Sequence, residues 1–231
     1  MTRPYILCHM VTSLDGKVTG AFLGSPECAA ATEVYYDIHR RLSSDGFICG
    51  RVTMEGSFTG GWYPDLTAYE PQEKVDFIPE TTAGFYAVAF DTHGRLGWKE
   101  RSIVDPDGDP GYDGAQIVEV LSEAVDSRYL GYLQEQGIPY IFAGRDSIDV
   151  AVALEKLHTR MGIDRLLLEG GSILNGAFLR ADAVDELSLV VAPVVAEAAD
   201  KPLFADSAAA AFSLQSARTE GDVVVTTYKR R

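Results

Sequence analysis

Arg165-Leu166-Leu167-Leu168-Glu169-Gly170-Gly171-Ser172-Ile173-Leu174-Asn175-Gly176 is the stretch whose reading decides the fold. A short apolar run reads as a buried strand. It stops at a carboxylate and two adjacent glycines, which permit backbone dihedrals that other residues avoid. A helix start follows at Ser172, so unpaired backbone N–H groups and the positive end of a helix dipole meet at the strand end, where a phosphate can sit. Gly46-Phe47-Ile48-Cys49-Gly50-Arg51-Val52-Thr53-Met54-Glu55 repeats the layout about a hundred residues earlier. There Gly50 allows close approach of a ligand, Thr53 offers a hydroxyl, and Arg51 can pair with a phosphate through two hydrogen bonds. Two such ends on one sheet would hold a dinucleotide without the Gly-x-Gly-x-x-Gly fingerprint, which this chain lacks. Each stretch also has a purely structural reading: a tight turn with Ser172 as N-cap, and an exposed arginine at a helix start.

Outward from these stretches, strands alternate with helices. Strands are expected at 5–11, 47–49, 85–91, 116–121, 139–144, 165–169 and 186–192, with a short one near Ser102-Ile103-Val104. Helices are expected from Ser25-Pro26-Glu27 to about Leu42, over 53–58, 127–136, 149–161 and 172–180. Gly137 and Gly162 follow two of them as C-terminal stops. The segments 212–218 and 223–228 around Thr219-Glu220-Gly221-Asp222 read as an antiparallel hairpin. Units of about thirty residues predict an α/β fold with a mostly parallel sheet, helices on both faces and an antiparallel C-terminal edge. No linker or repeat divides the chain, so a single domain over 1–231 is expected. Residues 60–82, rich in Gly, Pro, aromatic and acidic residues, read as a long loop of the functional or mobile kind.

The formal net charge of −14 opposes nucleic acid or an anionic membrane as the main partner, since both demand a basic face. It leaves room for a phosphorylated small molecule, which needs only a local positive site. The three cysteines and four histidines show no C-x-x-C and no metal-ligand spacing, so neither a metal nor a disulfide framework is expected. No apolar run is long enough to span a bilayer and no signal-peptide core opens the sequence, so a cytoplasmic setting is the default.

Further candidates sit at other element ends. Ser13 and Asp15, in Ser13-Leu14-Asp15-Gly16-Lys17 after the first strand, read either as substrate contacts or as a turn. His9 lies in that strand. His39-Arg40-Arg41 at the end of the first helix satisfies the helix dipole or binds an anionic substrate group, and Asp45 could neutralise it. Glu169, at the end of a parallel strand, sits where open α/β sheets bind ligands, or pairs with Arg165 or another nearby base.

Taken together, these residues resemble a family. Gly50-Arg51-Val52-Thr53-Met54-Glu55 resembles the G-R-x-T-x-E stretch of the dihydrofolate reductase superfamily, and Glu169-Gly170-Gly171 with Leu174 resembles its second glycine pair. Ser13-Leu14-Asp15-Gly16-Lys17, Asp91 with Arg95, and Val184-Asp185-Glu186-Leu187 leading to Ala192-Pro193 are similar to the reductase domain of the bifunctional riboflavin-biosynthesis deaminase–reductase. The resemblance runs from Tyr5 to about Tyr228. The zinc motif of the deaminase half is absent, as is the Pro-Trp segment of folate reductases.

The resemblance implies a dihydrofolate-reductase-like fold, commonly dimeric, and an NADPH-dependent oxidoreductase. Its substrate would be a riboflavin-pathway aminopyrimidine ribosylamine phosphate, such as 5-amino-6-(5-phosphoribosylamino)uracil or its deaminated or aminated relative, whose ribosyl carbon receives the hydride. By position, Thr53, Gly170, Gly171 and Ser172, with Gly50, Arg51 and Thr92, would face NADPH. Glu169 and Asp15 would serve the reaction, and Ser13, Arg41 and His9 the substrate. Two features depart from the family: His9 stands where it usually has lysine, and Gly56-Ser57-Phe58-Thr59-Gly60-Gly61-Trp62-Tyr63-Pro64-Asp65 replaces a segment ending in a second phosphate-binding arginine. Trp62, Tyr63 and Tyr69 could then cap a less charged substrate by stacking. A reductase of another heterocycle or carbonyl, and a non-catalytic NADPH sensor, are the alternatives.

Overall fold

A computed structural model of the chain describes residues 2–79 and 83–231. Its strands are β1 (Tyr5–Thr12), β2 (Gly46–Gly50), β3 (Tyr86–Phe90), β4 (Gln116–Leu121), β5 (Tyr140–Phe142), β6 (Arg165–Leu168), β7 (Glu186–Val191), β8 (Phe212–Glu220) and β9 (Val223–Arg230). Its α-helices are α1 (Ala29–Arg41), α2 (Arg51–Met54), α3 (Ser127–Gln136), α4 (Val150–Met161) and α5 (Ser172–Arg180). The fold is α/β, mostly parallel, with an antiparallel C-terminal hairpin.

The chain packs into two compact units. One is Ser44–Leu166 with the residues up to Pro4; the other is Tyr5–Ser43 with Leu167–Arg231. In the first unit β5, β4, β3 and β2 lie side by side in that order, all parallel. Both of their faces are Val/Ile/Ala-rich, as strands covered on both sides require: Ile48, Val88, Ala89, Ile117, Val118 and Ile141 are fully buried. In the second unit the order is β6, β1, β7, β9, β8; β1 and β7 are parallel, and the hairpin β8–β9 adds antiparallel to β7. Val11, Phe22, Cys28, Ala31, Val190, Ala192, Val223 and Val225 form a core here, against which Val34, Tyr35 and Ile38 of α1 pack.

The helix ends follow their capping chemistry. Asp126 accepts from the Arg128 N–H at 2.9 Å and Asp149 from the Ala151 N–H at 2.9 Å, so α3 and α4 start where the sequence supplies an N-cap. Both end at glycines in the left-handed region, Gly137 at φ +68° and Gly162 at φ +69°. The expected helix start at Ser25-Pro26 is four residues early. A 3₁₀ turn over Ala21–Gly24 and the turns Cys28 N–H to Ser25 O and Ala29 N–H to Pro26 O precede α1. No strand forms near 102–104; Ser102 makes a single bridge to Gln116. The expected helix over 53–58 is instead α2 followed by a wider π turn, Glu55–Thr59.

Residues 60–79 form a strap fastened to the first unit rather than a free loop; the expected continuation through 80–82 lies outside the described residues. Asp65 caps a 3₁₀ turn at Leu66–Ala68. Arg128 Nη1 donates to the Tyr69 carbonyl at 2.6 Å, and a Cβ on Gly131 would come within 2.2 Å of the Glu70 carbonyl oxygen, so α3 admits only glycine at that approach. Asp76 ties down the far end, pairing with Lys156 at 2.9 Å and Arg160 at 2.8 Å and accepting from the Phe142 N–H at 2.8 Å. Of the rings suggested as a stacking cap, Tyr63 stacks on Tyr129 at 6.1 Å and Tyr69 meets Tyr132 edge-on at 5.4 Å, while Trp62 lies beneath Lys99; Trp62 and Tyr63 are both partly exposed. Among the described residues, no helix is long and apolar enough to cross a membrane, and no cluster of His, Cys, Asp or Glu is arranged to hold a metal.

Candidate active site

The second unit sets Glu169 against His39. β6 delivers this carboxylate to its C-terminal end, where the side chain is almost fully enclosed. A buried carboxylate demands a hydrogen-bonding or charged partner. It has one in His39, from the last turn of α1, whose Nδ1 lies 2.6 Å from Glu169 Oε1; both side chains are at most 3% exposed. The base next to Glu169 is therefore a histidine that the sequence presents only as a helix-end cation. Asp45, the other suggested neutraliser of that cation cluster, instead accepts from the N–H groups of Asp164 at 2.7 Å and Arg165 at 2.9 Å.

His9, mid-strand in β1, is wholly buried. Its Nε2 donates to the Tyr35 carbonyl at 3.1 Å, which leaves Nδ1 to accept from the Ser188 hydroxyl at 3.0 Å. The ring stacks on Tyr35 at 4.3 Å with planes 4° apart. Burial, opposed by the nearby Glu169 charge, lowers its pKa, so the ring is neutral. Cys8, its neighbour, has a thiol pushed up by burial and by Glu169. Both ring nitrogens of His9 are thus engaged in the fold.

Ser13 and Asp15 form a turn. Ser13 Oγ donates to Asp15 Oδ1 at 2.6 Å and accepts from the Lys17 N–H at 2.9 Å, and the Ala196 N–H donates to Asp15 Oδ1 at 3.0 Å. The Ser13 hydroxyl, then the Ala196 N–H, hold the Asp15 carboxyl below its ordinary pKa. An exposed carboxylate held ionised in this way is not a proton donor at neutral pH. Arg41 is 75% exposed and reaches Asp37 at 3.4 Å; the structure does not bring it to Glu169 by any direct contact.

Gly170 has φ +105°, a region open to glycine alone, and a Cβ there would meet Met10 Cε at 3.2 Å. The Gly170–Gly171 peptide is cis. Gly171 is the N-cap of α5, no acidic residue occupies the first turn, and the Ser172 hydroxyl is turned inward to the Pro202 carbonyl. Ser172 therefore has only its backbone to offer a ligand.

In the first unit, Gly50 is the N-cap of α2, again without an acidic residue in the first turn. Arg51 pairs with Glu55 at 2.7 Å, one turn on, and Thr53 is half-buried on the same turn. Thr92, after β3, accepts through its carbonyl from the Ser122 hydroxyl at 2.8 Å. Beside it the buried Asp91 carboxylate accepts from the backbone N–H groups of Arg95 and Leu96, which folds the following loop. Burial raises the Asp91 pKa against those N–H groups. Deeper still, Glu119 accepts from the Trp98 indole and from Tyr129 OH at 3.3 Å. Burial, then Asp91, pushes its pKa well above the ordinary value, so it is a neutral acid. No sequence signal isolates Glu119, because it occupies one position of an otherwise apolar strand.

Residues 4–226 match the RibD C-terminal domain. The chain belongs to this family. It is similar to two proteins named 2,5-diamino-6-ribosylamino-4(3H)-pyrimidinone 5′-phosphate reductase. That of Methanothermobacter thermautotrophicus is 28% identical over 204 residues, covering 88% of this chain and 84% of that protein. That of Aquifex aeolicus is 29% identical over 201 residues, covering 84% and 79%. Among solved structures, Acinetobacter baumannii RibD superposes with a TM-score of 0.67 at 18% identity; all of this chain is covered but only 59% of that one. The Saccharomyces riboflavin biosynthesis reductase Rib7 gives a TM-score of 0.62 at 16% identity, covering 100% and 91%. In this RibD C-terminal domain the buried carboxylate and the glycine pair occupy consecutive positions, Glu169-Gly170-Gly171.

Proposed function

We propose that the protein is an NADPH-dependent reductase of an aminopyrimidine ribosylamine 5′-phosphate, the 2,5-diamino-4(3H)-pyrimidinone compound or its deaminated relative. The observation that carries this reading is the enclosed Glu169 carboxylate, paired with His39 and followed at once by the glycines. Each of the two helix starts, taken by itself, suits an anionic group. Neither α2 nor α5 has an acidic residue in its first turn, and Gly50 and Gly171 cap them without a side-chain bond. Gly50, Arg51, Thr53 and Thr92 are assigned to cofactor phosphate and ribose. The backbone at Gly170, Gly171 and Ser172 is assigned to the cofactor as well.

Bound NADPH would supply the hydride. Delivered to C1′ of the ribosylamine, a hydride would break the bond from C1′ to the ring oxygen, the electron pair passing to that oxygen, and one proton would complete the hydroxyl of the ribityl chain. Glu169 is assigned the proton-handling role, because Asp15 is exposed and held ionised in its turn. The Glu169 carboxyl is enclosed and hydrogen-bonded to the His39 imidazole, which gives the site an acid–base pair shielded from bulk water. Ser13 and Arg41 are assigned to the substrate, with Arg41 the candidate for its phosphate.

The segment Gly56–Asp65 supports a second reading. It forms a π turn and the start of the strap, and supplies no arginine where the family pattern carries its second phosphate ligand. A reductase of the same fold acting on an unphosphorylated heterocycle or carbonyl would need none. Purified protein incubated with NADPH and the diaminopyrimidinone ribosylamine phosphate should lose NADPH absorbance and form a ribityl product two hydrogens heavier. Thermal stabilisation by NADPH without turnover would reject the phosphoribosyl substrate and favour the second reading.

A further inference from the structure

We infer that His39 is a positioning residue: through Nδ1 it fixes the orientation of the Glu169 carboxylate and couples that carboxylate to an imidazole. The role assigned to Glu169 rests on the reading above; the pairing itself does not. Ionisable groups that face Glu169 within the second unit include Cys8 and His9 from β1 and His39 from α1, while β7 contributes the Ser188 hydroxyl, which His9 takes. Cys8 is an undissociated thiol and His9 a neutral ring with both nitrogens engaged, so neither can balance a charge on Glu169. His39 can. It lies 2.6 Å from Oε1, and it occupies the last turn of α1, where the helix carbonyls favour a positive charge. An imidazole in that position can pass a proton to the carboxylate or take one back over a single hydrogen bond. Arg40 and Arg41, the other cations of that turn, engage Asp37 instead.

The experiment has a substrate-free arm and a kinetic arm. In the first, the imidazole of His39 is titrated by nitrogen-15 NMR in the wild type and in Glu169→Gln. Removing the paired carboxylate should lower the His39 midpoint by about one pH unit or more; an unchanged midpoint overturns the inference. In the second, kcat, KM and their pH profiles are compared for wild type, His39→Leu and His39→Asn, whose amide can donate from near the position of Nδ1. His39→Leu should lower kcat roughly 100-fold with NADPH-induced stabilisation intact. His39→Asn should recover most of that kcat while altering the pH profile, since an amide donates but does not titrate. Wild-type kcat in His39→Leu, or equal losses with unaltered profiles in both variants, overturns the inference. A wild-type protein without turnover would count against the proposed substrate alone, and the titration would still decide whether His39 is coupled to Glu169.

Discussion

Glu119 gives the sharpest test of the electrostatics in the first unit. It is completely buried on β4, and only one of its carboxyl oxygens, Oε1, has hydrogen-bond partners. Burial and the neighbouring Asp91 raise its pKa far above the ordinary 4.5. In the unfolded chain the group ionises near that ordinary value, whereas in the folded chain it keeps its proton. Between the two pKa values the native state binds one more proton than the unfolded state, so stability falls as pH rises, by about 1.4 kcal/mol per pH unit. Stability is therefore lost progressively as pH rises above the ordinary carboxylate value, until the folded group itself ionises. Glu119→Gln retains an acceptor for Trp98 and Tyr129 but cannot ionise. Its amide N–H₂ would occupy the place of the unpartnered Oε2, at a cost of about 1–3 kcal/mol. The variant's deficit relative to wild type should thus be largest near pH 5 and shrink as pH rises. Urea unfolding at a series of pH values reads the difference as a change in slope. Parallel stability–pH curves for the two proteins would refute the assignment of a neutral, buried Glu119.

Other expectations concern the site and the strap. Gly170→Ala places a side chain at φ +105°, which should cost about 1–3 kcal/mol of stability and weaken NADPH-induced stabilisation; thermal shift with and without cofactor measures both. Gly131→Ala drives a Cβ into the Glu70 carbonyl at 2.2 Å and should loosen the strap, seen as earlier proteolysis within 60–79 and a lower unfolding midpoint. Arg41→Ala removes an exposed cation that the fold does not need, so stability should change by less than about 0.5 kcal/mol while KM for the phosphorylated substrate rises roughly tenfold or more with kcat nearly unchanged.

The alternation of strands and helices was readable because the parallel strands are mostly apolar runs and both ends of α3 and α4 carry their own signals. Asp126, Asp149, Gly137 and Gly162 act on backbone groups within a few residues of themselves, so local chemistry suffices. The start of α1 was misplaced for the same reason. Pro26 is compatible with a first helical turn, but Ser25 and Pro26 carbonyls close two isolated turns before the helix begins. The anchoring of the strap was not legible because what holds it is remote in sequence: Arg128, Gly131, Lys156 and Arg160 lie about 50 to 90 residues from the segment they hold.

Sequence alone determined the α/β order, the C-terminal hairpin, the family, and the presence of a carboxylate and two glycines at one strand end, since all of these are written in contiguous residues. Tertiary structure decided what those residues do. It set His39 against Glu169 across 130 positions of chain, locked His9 between Tyr35 and Ser188, and turned Ser172 inward and Asp15 into a turn. A side chain's protonation and orientation are fixed by the partners within hydrogen-bond reach and by how far water is excluded. Both are properties of packing, which no contiguous stretch of this chain contains.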